Sequence, residues 1–470
     1  SFALCPLLNM AAIELLQAYG SEEQKRRYLG KLVSGEWTGT MNLTEPQAGS
    51  DLGALTTRAV ASGDHYRITG QKIFITYGDH DLSPNVVHAV LARTPGAPPG
   101  SRGISLFLVP KFLLDDAGMP GQRNAVRTLS LEHKLGIHAS PTCVLAYEDA
   151  VGWRIGEENR GLEYMFTMMN NARLGIGMQG VAIAERAYQQ ARDFARIRVQ
   201  GQPLGAAADA GPSPIIHHPD VRRMLLWMRA ATEAMRSLAY YAAAMIDRGR
   251  RHSDKAERFR AQRRADLLIP VVKAWCTDLG VVVASTGIQV HGGMGYIEET
   301  GAAQYLRDAR IAPIYEGTNG IQAGDLVGRK LARDRGEAAQ ALFGEIAATL
   351  AVLERPDAGD IVAIGEALRA GLAALEGATT RLVDSDPAAA ATGSAPYLQL
   401  FGIVCAGWLM ARQALAADRL LTAGEGDPAF LHAKIATARF YAEHFLALAP
   451  GHLPGILGAA TVLGFDPDQF

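Results

Sequence analysis

Cysteine is scarce in this 470-residue chain: Cys5, Cys143, Cys276 and Cys405 stand far apart, with no C-x-x-C pair. That excludes a disulfide framework and a zinc knuckle, and we expect no metal site and a reducing, cytoplasmic location. Excess charge of either sign is also absent. The 46 Lys and Arg against 48 Asp and Glu leave a formal charge of -2, which supplies no field for nucleic acid or an anionic membrane. Long apolar runs are missing; LLIPVV (267–272) and VVVAS (281–285) are cut short by polar residues, so we expect no membrane span. Residues 1–6, Ser-Phe-Ala-Leu-Cys-Pro, have neither an initiating Met nor a basic n-region, which excludes a signal peptide and reads as a shortened N-terminus. No repeat of solenoid period is present.

What is there is apolar and long. With 48% hydrophobic residues, a chain of this length exceeds one ordinary core, and two to four packed subdomains are expected. Residues 8–34 predict helix, with Leu8, Ala11, Ala12, Leu15 and Leu16 on one face, a second start at Ser21 and a stop at Gly35. Residues 36–155 switch to strand chemistry. A hairpin joins 56–60 to 65–69, and further strands are expected at 72–76, 86–92, 104–109, 126–131 and 143–147, enough for a small antiparallel barrel or sandwich. From 156 the period is helical again: Val181, Ala184, Tyr188, Ala191 and Ala195 form one stripe, and 225–245 reads as a long helix. The segment 201–214 reads as a loop. An arginine-rich break at 247–262 reads as a solvated loop rather than a nucleic-acid patch, because only Phe259 interleaves its charges. Residues 336–470 form a further Ala/Leu-rich helical layer, with a loop expected at 384–394. The fold class is therefore α+β, mostly α, with segments 1–35, 36–155, 156–335 and 336–470.

Four segments carry chemistry. In Met41-Asn42-Leu43-Thr44-Glu45-Pro46-Gln47-Ala48-Gly49-Ser50-Asp51 a strand runs into a turn of hydroxyls and small residues. Such a turn offers main-chain N–H groups to a planar ligand or phosphate, or is a plain Asx-type turn; the physics leaves these even. In Lys72-Ile73-Phe74-Ile75-Thr76, strand alternation puts Phe74 and Thr76 on one face, where they either meet a ring or pack in a core. Taken alone, core packing is the stronger reading. Gln289-Val290-His291-Gly292-Gly293-Met294-Gly295 lets backbone approach a pyrophosphate or another subunit, but it is no dinucleotide fingerprint, and His291 reads as a structural hydrogen-bonder. His217 and His218, adjacent on an expected helix, lack a metal-ligand spacing. In Ile314-Tyr315-Glu316-Gly317-Thr318-Asn319-Gly320-Ile321-Gln322 a carboxylate sits in an apolar, glycine-flanked turn. Desolvation there suits a general base for a weak carbon acid; a carboxylate favouring a helix N-terminus is the blander and somewhat stronger alternative.

Together and in this order, T-E-P-x-A-G-S-D and I-Y-E-G-T-x-x-I-Q resemble the acyl-CoA dehydrogenase family over roughly residues 8–330. Segments 168–173, 198–201 and 218–224, with 430–442 and the terminal Asp468-Gln469-Phe470, resemble its subgroup of longer chains with an extra C-terminal helical domain, the 3-methylmercaptopropionyl-CoA dehydrogenase-like members. The resemblance implies a shortened N-terminal helical domain, a middle β domain, a helical bundle and that extra domain. It implies α,β-desaturation of an acyl-CoA thioester with FAD as acceptor: Glu316 takes the pro-R α-proton, and the β-hydrogen leaves as hydride to flavin N5. The flavin ribityl 2′-hydroxyl and the Glu316 N–H would hold the thioester oxygen. Met41, Leu43, Thr44, Gly49, Ser50, Phe74, Ile75, Thr76, Thr318 and Gln322 match cofactor positions. Arg198, Gln200, Gln289 and Gly293 match positions that reach the FAD of a neighbouring subunit, implying a homodimer or larger homo-oligomer. Ser50, Asn170, Arg173 and Gly317 match substrate positions, with Arg173 toward the CoA adenosine. Phe74 stands where many relatives have Trp, and Pro219 where a Gln helps bind the adenosine half of FAD. An electron-transfer flavoprotein is the implied acceptor; an acyl-CoA oxidase using dioxygen and a non-catalytic scaffold are the alternatives.

Overall fold

The computed structural model describes residues 1–207, 211–354 and 359–469; Phe470 and positions 208–210 of the expected loop lie outside the described residues. The chain divides into two compact units, Ser1–Gly175 and Ile176–Phe470.

The first unit opens with α1 (Leu4–Tyr19), which buries the expected face of Leu8, Ala11, Ala12, Leu15 and Leu16. Gly20 ends it, and Ser21 and Gln24 form a reciprocal capping box that starts a second helical stretch over 22–33. The second start thus falls at Ser21 as expected, and Gly35, at φ 72°, closes that stretch. Nine strands follow: β1 (Thr38–Asn42), β2 (Arg58–Ser62), β3 (His65–Thr76), β4 (Val86–Ala92), β5 (Ser105–Pro110), β6 (Phe112–Leu114), β7 (Pro120–Arg123), β8 (Val126–Leu131) and β9 (Thr142–Ile155). β4 and β8 fall where expected. The segments expected at 65–69 and 72–76 fuse into β3, and 143–147 lengthens into β9. β6 and β7 form a separate pair that local strand patterning did not disclose.

The main sheet runs β1-β4-β5-β9-β3-β2, with β8 also paired to β9. β1 and β4 pair in parallel, which corrects the wholly antiparallel expectation. A bridge between Arg58 and Arg93 brings β2 back to the end of β4, so the sheet partly closes on itself. Ile68, Phe107, Leu145 and Tyr147 fill one core. Leu91, Leu106 and Leu108 meet α1 and Met165 and Met168 of α2 (Gly161–Ile197) in another. All seven β4 residues are buried, as a strand covered on both faces requires.

α2 continues into the second unit, which contains α3 (Pro219–Arg251), α4 (Lys255–His291), α5 (Ala302–Ala309), α6 (Asn319–Asp325), α7 (Glu337–Leu353), α8 (Gly359–Asp384), α9 (Pro387–Thr392), α10 (Ser394–Ala423) and α11 (Pro428–His444). The backbones of α2 and α4 nearly touch: a Cβ at Gly180 would stand 2.5 Å from the Cys276 carbonyl oxygen. The arginine-rich break shrinks to 252–254, with Asp254 capping α4. Arg260 pairs with Glu257, Arg263 with Asp334 and Glu337, and Arg264 with Glu345, so these charges are spent inside the unit. α9 replaces most of the loop expected at 384–394; Asp386 caps it and Pro387 opens it. α10 packs on α3, α4, α6, α8 and α11. It approaches α4 so closely at Gly402 that a Cβ there would run into the Trp275 ring.

By length and composition, Lys255–Tyr296, Ser394–Ala423 and Pro428–Gly464 are apolar enough to cross a membrane, which corrects the expectation drawn from uninterrupted runs. In the first two, 78% of the apolar window is buried inside the protein, against 17% in the third. All four cysteines are buried, and burial pushes their thiols up.

Candidate active site

In the first unit, β1 delivers Met41 to a turn that closes on itself, Glu45 and Ala48 exchanging both backbone hydrogen bonds at 3.0 Å. The Glu45 carboxylate, 2% exposed, accepts from Thr56 N (2.7 Å), Thr57 N (3.1 Å), the Thr57 hydroxyl (2.5 Å) and Lys72 Nζ (2.8 Å). Lys72 Nζ also donates to the Leu43 carbonyl at 2.9 Å, and Ile73 N donates to Thr44 O at 2.9 Å. One buried ion pair therefore fastens Leu43–Thr44 to β3. Burial alone would raise the Glu45 carboxyl, but the Lys72 charge and the hydrogen bonds from Lys72, Thr57 and Thr56 outweigh it and bring it to about 2. Burial brings the Lys72 ammonium down to about 8 against the pull of Glu45, so both are charged at neutral pH. Beyond the turn, Gly49 and Ser50 are exposed, and a Cβ at Gly49 would meet nothing within 4 Å.

Next to this clamp the β3–β9 register breaks between Lys72 and Ile75, and Phe74 stands at φ 60°. Such a conformation costs a non-glycine residue on the order of 1–2 kcal/mol. Regular alternation is therefore not what places Phe74. The core reading for it is corrected: Phe74 is 59% exposed, Thr76 is half-buried, and Ile75 alone enters the core. Met41 is also a core side chain. Asn170 and Arg173 sit together on α2, Arg173 Nη1 lying 3.5 Å from Asn170 Oδ1, with Arg173 4% exposed.

In the second unit, Glu316 and Gly317 occupy consecutive left-handed positions at φ 57° and 81°. Thr318 caps α6, its hydroxyl accepting from Ile321 N at 3.4 Å, so the carboxylate of Glu316 is not what caps that helix. Glu316 is half-buried. The turn is tied from three sides. Gln322 Nε2 donates to the Glu316 and Gly317 carbonyls at 3.4 and 3.1 Å. The Tyr315 hydroxyl donates to Gln179 Oε1 of α2, and burial together with the nearby Glu316 charge raises that phenol. The Asn319 side chain accepts from Lys273 Nζ at 2.8 Å and donates to Asp278 Oδ1 at 2.7 Å, both on α4. Asp278 Oδ2 accepts from Gln399 Nε2 of α10 at 2.8 Å. Sequence reasoning missed Gln179, Lys273, Asp278 and Gln399. The one available signal was a lysine inside an apolar stretch, Lys273, which is fully buried.

Arg198, Gln200, Gln289 and Gly293 are all exposed, among exposed Ile197, Val199, Met294 and Tyr296. Arg198 and Gln200 lie on a segment tied to 213–215 by backbone bonds. His291 is the structural hydrogen-bonder expected, Nδ1 donating to Gly287 O at 2.7 Å while the ring stacks on Phe194. His217 closes a 3-10 turn and His218 stands just before α3 with its ring on the Gln200 carbonyl, correcting their expected place within a helix. No group of metal-ligating side chains occurs among the described residues.

Three family models match: the acyl-CoA dehydrogenase middle domain over 40–150, its C-terminal domain over 159–331, and an acetyl-CoA dehydrogenase C-terminal-like domain over 342–464. The chain is 53% identical to 3-methylmercaptopropionyl-CoA dehydrogenase of Ruegeria pomeroyi, over 95% of this chain and 76% of that protein. It is 38% identical to butyryl-CoA dehydrogenase of Syntrophomonas wolfei, over 97% of this chain and 76% of that protein. The fold is that of Caenorhabditis elegans ACDH-11, solved in complex with C11-CoA, at TM-score 0.81 and 23% identity, over 99% of this chain and 76% of the other.

Proposed function

The chain belongs to the acyl-CoA dehydrogenase family, and on that premise we propose which of its residues carry out the α,β-dehydrogenation of an acyl-CoA. FAD, when bound, supplies the acceptor for the β-hydride. Two features of the chain fit such a group: the Phe74 ring held out of the core, and Gln322 Oε1, buried without a hydrogen-bond partner beside the Glu316 turn. Met41, Leu43, Thr44, Gly49, Ser50, Phe74, Ile75, Thr76, Thr318 and Gln322 are the proposed cofactor contacts, Met41 and Ile75 through main chain. Ser50, Asn170, Arg173 and Gly317 are the proposed substrate contacts.

Glu316 is the proposed base. Its carboxylate takes the α-proton, the α-C–H pair becomes the new C=C bond, and the β-hydrogen departs with its electron pair. The Glu316 N–H is assigned to the thioester oxygen, where charge develops as the α-proton leaves. The observation that carries this reading is the strained backbone at Glu316, kept there by partners on three elements. Arg198, Gln200, Gln289 and Gly293, with the exposed apolar side chains around them, are proposed to meet a second copy, giving at least a homodimer. An electron-transfer flavoprotein is the proposed acceptor, and the four-segment division 1–35, 36–155, 156–335 and 336–470 and a cytoplasmic location belong to the same proposal.

Glu316→Gln should slow anaerobic flavin reduction by at least about 10²–10⁴-fold while acyl-CoA still binds. Retained reduction would unseat Glu316. A bleaching screen over short, medium, long and thioether acyl-CoAs identifies the acyl group, and slow reoxidation in air is expected. Fast peroxide release would point to an oxidase instead.

A further inference from the structure

The turn that carries Glu316 is wired to the C-terminal helical layer. Asn319 sits three residues beyond the carboxylate, and its backbone N–H donates to Pro313 O at 2.9 Å, closing the turn across Glu316. Its side chain leaves the turn for α4, where it bonds Lys273 and Asp278 and its Nδ2 lies 3.1 Å from Ala274 O and 3.0 Å from the Thr277 hydroxyl. Asp278 divides its two oxygens between Asn319 and Gln399. Gln399 belongs to α10, which meets α4 almost without side-chain spacing at Gly402, one turn along from Gln399. α10 also packs on α6 itself. Asp278 is thus the joint between a helix of the 336–470 layer and the turn proposed to hold the base.

We infer that Gln399, Asp278 and Asn319 form a positioning relay by which the C-terminal layer holds the Glu316 turn in its left-handed conformation. None of the three touches the reacting atoms; they act through the turn. The physical reason is that two consecutive left-handed residues relax unless their surroundings overdetermine them. Gln322 fixes only the carbonyl side, so the sequel of the turn must be pinned from another element. Amides suit a relay of this kind, because Asn319 accepts from one neighbour and donates to another at once, which neither a carboxylate nor a lysine does alone. Lys273 and Arg310 are the cations near Asp278.

The inference rests on Glu316 as base, and the experiment separates the two. In holoenzyme, Asn319→Ala should lower the anaerobic flavin-reduction rate about 10- to 100-fold, since a displacement of roughly 1 Å costs on that order. Gln399→Leu, one bond further out, should lower it about 3- to 10-fold. The dissociation constant for acyl-CoA should change less than about threefold in both, so the loss falls on the chemical step. Hydrogen–deuterium exchange supplies a readout independent of turnover: amides of 315–322 should exchange faster in both variants, while α4 and α10 keep native protection. Reduction rates within twofold of native, or faster exchange spread evenly over the second unit, would overturn the relay. If Glu316→Gln retains turnover while the exchange pattern appears as expected, the base assignment fails and the mechanical coupling stands.

Discussion

Phe74 in the first unit and Glu316 in the second share one backbone feature, a non-glycine residue at φ 60° and 57°, and the chain restrains them by different chemistry. Beside Phe74 the anchor is ionic and dry: Lys72 and Glu45 are 0% and 2% exposed, and the pair ties the turn to the broken strand. Beside Glu316 the anchor runs through the amides of Asn319, Gln322 and Gln399, with Asn319 standing between the charges of Lys273 and Asp278, so that in the relay the lysine reaches the carboxylate through an amide. A buried ion pair punishes the loss of one partner far more than the loss of both, because the survivor stays charged and desolvated. An amide relay degrades by steps. The strand that carries Phe74 is therefore built to be all-or-none, and the turn that carries Glu316 to be graded.

The comparison breaks most readily at Lys72. Lys72→Met should cost about 3–5 kcal/mol in chemical denaturation, because it strands the Glu45 charge. Adding Glu45→Gln should recover part of that loss; a double variant as unstable as the sum of two singles would show that the pair is not coupled. Acid gives a second handle on the same anchor. Glu45 is held at about 2, so its contribution is whole above the ordinary carboxylate value and is lost as pH falls from about 4.5 toward 2. That limb should amount to about 3 kcal/mol and vanish in Glu45→Gln, which a pH series of urea melts measures. The smallest effect belongs to the amide side. Gln399→Leu should cost about 2 kcal/mol in the same melts, the net worth of one hydrogen bond to a charged group. A loss rivalling that of Lys72→Met would erase the contrast between the anchors.

The sequence made much of this legible where local pattern decides structure. β4 and β8 are bounded by turn residues and stand where the strand chemistry put them. α9 was missed although Asp386 and Pro387 are a capping residue and an N1 proline, because the flanking Asp, Pro, Gly and Ser residues read as loop. The parallel pairing of β1 with β4 has no local signature, since their partnership spans a hairpin and a broken strand. At the site, the T-E-P and I-Y-E-G-T segments drew attention by composition. The backbone strain at Phe74 and Glu316 did not, because strain is imposed by distant partners. Asp278 lies 41 residues from Asn319 and Gln399 lies 121 residues from Asp278, separations at which no periodicity speaks.

β9 bears on how the protein is made. It is the strand on which β3, β5 and β8 all pair, and it comes last among the nine. During synthesis β3, β5 and β8 must each wait, with one edge unsatisfied, until residues 142–155 have left the ribosome. Lesions within β9, such as a proline at the buried Leu145, should therefore appear first as poor yield and chaperone retention, before any purified enzyme is available to assay.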